Sequence, residues 1–114
     1  MSVAETIARL MPIFSIKVRK EDSIIRGHGH CVIKNHDVHV FILEDHAENF
    51  FELTFVSVYR RDTSVITDPR KSGFWLPTPL FTFRIGCKLD KIRAEEIYGH
   101  SIREIVNSII MQLL

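Results

Sequence analysis

Several features that would assign this chain to a familiar class are missing from its 114 residues. It has two cysteines, no Cys-x-x-Cys pair, and no apolar run near the roughly 18 residues that span a bilayer. Hydrophobic residues make up 46% and charged residues 25%, which excludes a disordered tail, a collagen-like chain and a disulfide scaffold. Neither charge dominates, since the net charge is +1 at pH 7. We therefore expect one soluble domain over residues 1–114, with no contact to a membrane.

The N-terminal residues and the cysteines together indicate a reducing compartment. Residues 1–5 lack the positive and apolar regions of a secretory signal. Cys31 and Cys87 each lie in an alternating apolar segment, where thiols are typically buried. We expect a cytoplasmic protein with both thiols reduced and buried. A Cys31–Cys87 disulfide is the alternative.

The spacing of the first dozen residues predicts a short helix. Ser2 and Glu5 have the spacing of a capping box, in which each side chain accepts a backbone hydrogen bond from the other residue. Ile7 and Leu10 lie on one helical face. Pro12 cannot continue the hydrogen-bond ladder, so the helix should end before it.

After Pro12 the apolar period changes to two, which predicts half-buried β-strands. The segments that show this alternation are 13–20, 23–34, 36–43, 50–60 and 80–89. Residues 34–35 are predicted to form a two-residue turn, and residues 44–49 a polar loop or a single helical turn. Gly27 and Gly29 fall on the apolar side of the second strand, which indicates a bend or the close approach of another element.

The C-terminal quarter returns to helical spacing. Asp90 is a suitable N-cap, and Ser101 with Glu104 forms a second capping box. Gly99 lies inside this segment, where glycine costs about 1 kcal/mol relative to alanine. We predict a helical segment that is kinked or broken near Gly99-His100. The fold class is α+β: a single antiparallel sheet of five strands with helices packed on one face.

When charged residues are assigned to the two faces of the predicted sheet, basic residues outnumber acidic residues on the polar face. The polar face is predicted to carry Lys17, Arg19, Arg26, Lys34, Arg60, Arg84 and Lys88. Only Asp37 and Glu52 are assigned beside them. Such a face is typical of a solvated sheet surface or of a surface that binds an anionic partner. Only Phe41 and Phe50 supply aromatic rings there, so an acidic protein is favoured over nucleic acid as the partner.

An aromatic and basic loop is a second candidate binding surface. Three prolines and a glycine exclude residues 68–79 from a central strand. Within this loop, Arg70, Lys71 and Trp75 are of types that are common among the hot spots of protein interfaces. The alternative is that Trp75 packs into the core.

Five of the six histidines precede residue 50. With a turn at 34–35, His30 lies opposite His39, and His28 shares a face with Asp37. Imidazoles and a carboxylate are zinc ligands, so a site for zinc or another divalent metal at His28, His30 and His39 is an alternative. Cys31 points to the other face. No HExxH motif or other zinc-enzyme spacing is present.

These features favour a small non-enzymatic interaction protein: an adaptor, inhibitor or neutralising partner of another macromolecule. The residues assigned to partner binding are Lys17, Arg19, Arg26, Arg70, Lys71, Trp75, Arg84 and Lys88. No catalytic residue is assigned, because Gly99-His100-Ser101 lacks the Gly-x-Ser-x-Gly pattern of a nucleophile elbow. The alternatives are a His-rich metal-binding protein or metal-dependent hydrolase, and a nucleic-acid-binding protein. The apolar residues 109–114 either pack in the core or form a homodimer seam.

Overall fold

The structure consists of a helix and a five-stranded antiparallel sheet. A computed structural model describes residues 2–34, 36–59 and 81–91, and, near the C-terminus, residues 99, 103–104, 106–108 and 111. The elements are α1 (Val3–Leu10), β1 (Lys17–Glu21), β2 (Ile24–Ile33), β3 (His36–Asp45), β4 (Phe50–Tyr59) and β5 (Phe81–Lys88). The strands pair in chain order, each antiparallel to its neighbours. This confirms the predicted sheet and the short N-terminal helix.

Helix α1 begins at the predicted cap. The Ser2 hydroxyl accepts from the Glu5 backbone N–H at 3.1 Å, and the Glu5 carboxylate accepts from the Ser2 backbone N–H at 3.5 Å. After α1 the chain makes a 3₁₀ turn over Pro12–Phe14, and Ser15 then adopts a φ of 49°. The prediction of a strand from residue 13 was therefore wrong by four residues, because the proline starts a turn that alternation alone does not reveal.

The sheet has an inner face, which α1 covers, and an outer face on its other side. Ala4 and Ile7 of α1 pack into one core cluster with inner-face residues such as Val40, Leu53 and Phe55. Val106, from the C-terminal residues, packs against the same cluster. The backbone described between residues 99 and 111 is helical, but His100 of the predicted kink at Gly99-His100 lies outside the described residues. Within the described residues no helix is long and apolar enough to cross a membrane.

Gly29 shows why the inner face of β2 carries glycine. A Cβ atom at this position would lie 2.6 Å from the carbonyl oxygen of Phe14 and 2.6 Å from Cγ1 of Ile16. Residues 14–16 therefore cross β2 in contact with its backbone. Of the two alternatives that the glycines suggested, the close approach is confirmed.

Both cysteines are free and lie at the margin of the inner-face core, half-buried rather than fully buried. Strands β2 and β5, which carry them, are separated by three strand spacings of about 4.8 Å each, too far for a disulfide. Burial raises the pKa of the Cys31 thiol to about 11, with a smaller contribution from Asp37, and burial also raises the pKa of Cys87. Both thiols are therefore held in the protonated form.

The prediction of a loop at residues 44–49 was wrong for its first two residues, because β3 extends to Asp45. Glu44 and Asp45 belong to the strand, and Glu44 faces inward with 1% of its surface exposed. One Glu44 carboxylate oxygen accepts from the Ala4 backbone N–H at 2.9 Å, and the other lies 2.6 Å from Nε2 of His46. The carboxylate therefore satisfies a donor in the first turn of α1, where a negative charge is favoured.

Candidate functional site

The strand register determines which residues of neighbouring strands lie opposite each other on the outer face. On β1 and β2, Lys17 lies opposite His28 and Arg19 lies opposite Arg26. On β2 and β3, His30 lies opposite His39, with Ile33 opposite His36 at the end of the ladder. At this end of the ladder Lys34 follows β2 as a turn residue with a φ of 45°, in agreement with the predicted short connection.

The excess of basic residues on the outer face is smaller than predicted. The register places there five exposed basic residues, Lys17, Arg19, Arg26, Arg84 and Lys88. It also places there four acidic residues, Glu21, Asp37, Asp45 and Glu52. Lys34 lies in the turn rather than in a strand, and Arg60 lies outside the described residues. Glu21 and Asp45 were missed because the predicted strands ended before them.

The five basic residues form two groups rather than one continuous surface. Strands β1 and β5 are the two ends of the described sheet, separated by four spacings, or about 19 Å. Arg84, on β5, has its Nε 4.0 Å from a Glu52 carboxylate oxygen. The other group lies on β1 and β2 and consists of Lys17, Arg19 and Arg26, next to the exposed His28. We call this group the cationic corner.

The middle of the outer face is buried, which corrects the expectation of a fully solvated surface. Phe41 is 3% exposed, and Thr54 and Val56 are each 1% exposed. The sequence carries a signal for this, because residues 38–43 (VHVFIL) are almost continuously apolar. Such runs are typical of strands that are buried on both faces. The accessible part of the face is therefore at its edges.

The histidines form a chain of contacts between the cationic corner and the buried middle. The His28 ring stacks on Phe41, with centroids 4.7 Å apart and planes inclined by 2°. His28 Nε2 lies 2.9 Å from Nδ1 of His39, so one of these nitrogens donates and the other accepts. The His39 ring centroid lies 4.6 Å from that of His30, and His30 Nε2 is hydrogen-bonded to Oδ1 of the buried Asp37.

His39 is held in its neutral form at physiological pH. Burial lowers its pKa most, the neighbouring His30 and His28 lower it further, and Asp37 opposes them, to a value of about 4. A neutral imidazole carries one N–H and one accepting nitrogen. His39 is thus available as a fixed, uncharged hydrogen-bond partner for His28.

The predicted metal site receives no support from the arrangement of these side chains. Among the residues that the structure describes, no group of three or more His, Cys, Asp or Glu side chains is arranged to hold a metal ion. His30 is directed to Asp37, whereas His28 and His39 face each other. Cys31 lies on the inner face, as expected. Binding of zinc by His28, His30 and His39 stays a prediction.

The other predicted binding residues are not brought together here. Arg70, Lys71 and Trp75 lie outside the described residues, so the role of their loop stays a prediction. Near the C-terminus Met111 is 70% exposed, and residues 103 and 106–107 border a groove of about 270 Å³ beside the end of α1. The homodimer predicted for residues 109–114 is not tested by this exposure.

Compared with known protein families, curated proteins and solved structures, the chain has no significant match. The functional argument therefore begins from the cationic corner and the histidines next to it. Lys17, Arg19 and Arg26 combine exposure, like charge and a defined register, and the exposed His28 lies beside them.

Proposed function

We propose that this protein is a small non-enzymatic interaction protein that binds an acidic surface of another protein through the cationic corner. The observation that supports this most directly is the position of Arg19 opposite Arg26, with both side chains exposed. Like charges directly opposite each other on antiparallel strands are destabilising. An anionic partner converts this repulsion into attraction and is steered toward the corner by its field.

Acidic residues near the corner have other contacts. Lys20, on the inner side of β1, pairs with Glu5 at 3.1 Å, so Glu5 is engaged away from the corner. The Asp45 carboxylate accepts from the backbone N–H groups of Ala47 and Glu48. Glu21 borders the corner at the end of β1. Lys17, Arg19 and Arg26 are all exposed at this corner of the sheet.

The aromatic residues of the outer face favour a protein partner over nucleic acid. Single-strand binders stack successive bases on open aromatic rings. Phe41 is buried beneath His28, and Phe50 is half-buried. Neither ring offers the open face that base stacking uses. The corner instead presents guanidinium and ammonium groups, which bind carboxylates.

The test compares a fluorescent Asp/Glu-rich peptide with a single-stranded oligonucleotide of equal charge at pH 7.4 and moderate salt. Arg19→Glu with Arg26→Glu should weaken peptide binding by at least about tenfold, or 1.4 kcal/mol. The matched control is Lys34→Glu with Lys91→Glu, which changes the net charge equally at exposed positions outside the corner. The control should retain most of the affinity.

Three results would contradict the proposal. Equal losses in the two double variants would show that binding depends on net charge rather than on the corner. Absence of peptide binding by the unaltered protein would refute the corner as a binding surface for acidic proteins. Tighter binding of the oligonucleotide than of the peptide would favour the nucleic-acid alternative instead.

A further inference from the structure

We propose that the partner presents its acidic residues on an extended segment, which pairs with the free edge of β1 as a sixth strand of the sheet. The inference rests on the proposed function and adds to it the conformation and the side-chain pattern of the partner. When a peptide adds a strand to an exposed sheet edge, main-chain hydrogen bonds supply affinity and alternate side chains supply specificity.

Strand β1 forms one edge of the sheet. Within the described part of the chain its backbone pairs with β2 alone, at the end of the strand order. Because an edge strand has a partner on one side only, part of its N–H and C=O groups point away from that partner. Four of the five residues of β1, namely Lys17, Arg19, Lys20 and Glu21, are exposed. The edge is therefore accessible to a further strand.

The outer-face side chains of β1 favour acidic residues on the added strand. Lys17 and Arg19 are two positions apart, so they lie on the same face. Residues directly opposite each other on paired strands have Cβ atoms about 4.5 to 5.5 Å apart, within reach of an ion pair. Glu21, at the end of β1, disfavours a third acidic residue in the same register. The partner should therefore carry two acidic residues separated by one position.

The inner-face side chains of β1 favour an apolar residue between these two acids. Val18 lies between Lys17 and Arg19 in the strand and is half-buried. With Val3 of α1, it packs against the inner-face core cluster at its margin. An apolar side chain opposite Val18 would extend this margin and remove apolar surface from water. The next inner-face residue, Lys20, already pairs with Glu5 at 3.1 Å, so it does not require an acid opposite it.

The charges of β1 disfavour a second copy of this chain as the sixth strand. Pairing of two β1 strands about Arg19 places one Arg19 opposite the other, and like charges in that position are destabilising. Basic side chains on an edge strand in general discourage pairing with other chains. An acidic strand is the exception, because its charge is complementary. At the opposite edge, Arg84 of β5 already lies 4.0 Å from a Glu52 carboxylate oxygen.

The test uses an acetylated and amidated peptide, Thr-Thr-Glu-Val-Glu-Thr-Thr. In a strand, both of its carboxylates lie on one face and the valine lies on the other. Its symmetric order allows pairing with β1 in either direction. Binding is followed by NMR titration at pH 7.4 and moderate salt. At saturation, hydrogen exchange of alternate backbone amides of β1 should slow by at least about tenfold.

Two control peptides keep the composition and the charge. The order Thr-Thr-Glu-Glu-Val-Thr-Thr directs the carboxylates to opposite faces and should bind more weakly. The second control is the parent peptide with N-methyl groups on the valine and on the glutamate that follows it. In either strand direction one of these methyl groups replaces the N–H that faces β1. The loss should be at least about fivefold in affinity, because an acceptor of β1 is left unpaired.

Hydrogen exchange separates failure of this inference from failure of the proposed function. If the parent peptide binds without slowing exchange in β1, or if either control binds as tightly, the inference fails and the proposed function stands. The same holds if an Asp/Glu-rich peptide binds and the parent peptide does not. Protection of β1 that rises with protein concentration, with a dimer in sedimentation, would overturn the inference in favour of a second copy. If no acidic peptide binds, both fail.

Discussion

The two faces of the sheet each bury a carboxylate of β3, and they hold it in different ways. On the inner face Glu44 accepts from the Ala4 backbone N–H and from His46. On the outer face Asp37 is bonded to His30, next to the ring of His39. The first carboxylate anchors a helix through the main chain, whereas the second belongs to a chain of side-chain contacts that runs through His30, His39 and His28. One carboxylate thus links the sheet to a helix, and the other links side chains within the sheet.

The largest expected effect on stability comes from removing the Glu44 carboxylate, which anchors α1 on the inner face. Glu44→Ala should lower the free energy of unfolding by about 3 to 4 kcal/mol, because it leaves a cavity and an orphaned N–H in the first turn of α1. Glu44→Gln keeps an accepting oxygen and should lose less. Urea denaturation of both variants at pH 7.5 gives the comparison. Equal losses would show that the charge of Glu44, rather than its acceptor, anchors α1.

A second test concerns His39 on the outer face. Its folded pKa of about 4 lies below the unfolded value near 6.5, so below pH 6.5 the unfolded state binds a proton that the folded state does not. Stability should therefore fall by about 3 kcal/mol as the pH falls from 7.5 to 4, and His39→Gln should be spared this part of the loss. Unfolding free energies of both proteins at pH 7.5, 5.5 and 4 measure it. Parallel curves would contradict the burial of a neutral His39.

A third test compares one glycine on each face. Gly29→Ala should destabilise the protein by about 1 to 3 kcal/mol, because the new methyl group meets the backbone of residues 14–16. Gly86→Ala on the outer face places its Cβ at an ordinary 3.6 Å from the Phe50 ring and should be nearly neutral. Thermal unfolding of the Gly29→Ala and Gly86→Ala variants measures the difference in stability. A harmless Gly29→Ala would mean that residues 14–16 do not press on β2.

The smallest expected effect on stability comes from a substitution at Lys34, between β2 and β3. Lys34 has a φ of 45°, a conformation that costs a residue with a side chain about 1 kcal/mol. Lys34→Gly removes this strain but adds freedom to the unfolded chain, so a net gain of about 0.5 kcal/mol is expected. Chemical denaturation measures the change. A clear loss of stability would show that the Lys34 side chain itself contributes to the turn.

Much of the fold follows from local patterns in the sequence. The two-residue period predicted all five strands, and the short turn at residues 34–35 fixed which residues of β2 and β3 lie opposite each other. The capping box of Ser2 and Glu5 placed the start of α1. Each of these signals is contained within a few residues. Pairing of His30 with His39 could therefore be predicted before the structure was known.

The errors arose where distant parts of the chain meet. Glu44 reads as part of a polar loop until α1, forty residues earlier, supplies the N–H that allows a carboxylate to be buried. The burial of Phe41 and Val56 on the outer face likewise depends on tertiary packing that alternation does not reveal. The ring-to-ring hydrogen bond of His28 and His39 required the diagonal geometry of the sheet. No pattern of spacing specifies it.

The order of the strands also has a consequence for folding. Strands β1 to β4 each pair with the next one along the chain across connections of two to four residues, and such local contacts form rapidly, whereas the pairing of β4 with β5 joins residues at least 24 positions apart. The bond from Ala4 to Glu44 joins residues that are far apart in sequence, and it has nothing to hold until β3 is in place. We therefore expect strands β1 to β4 to pair before the N-terminal helix docks on them, which makes loosening of that helix an early step in unfolding of the native protein.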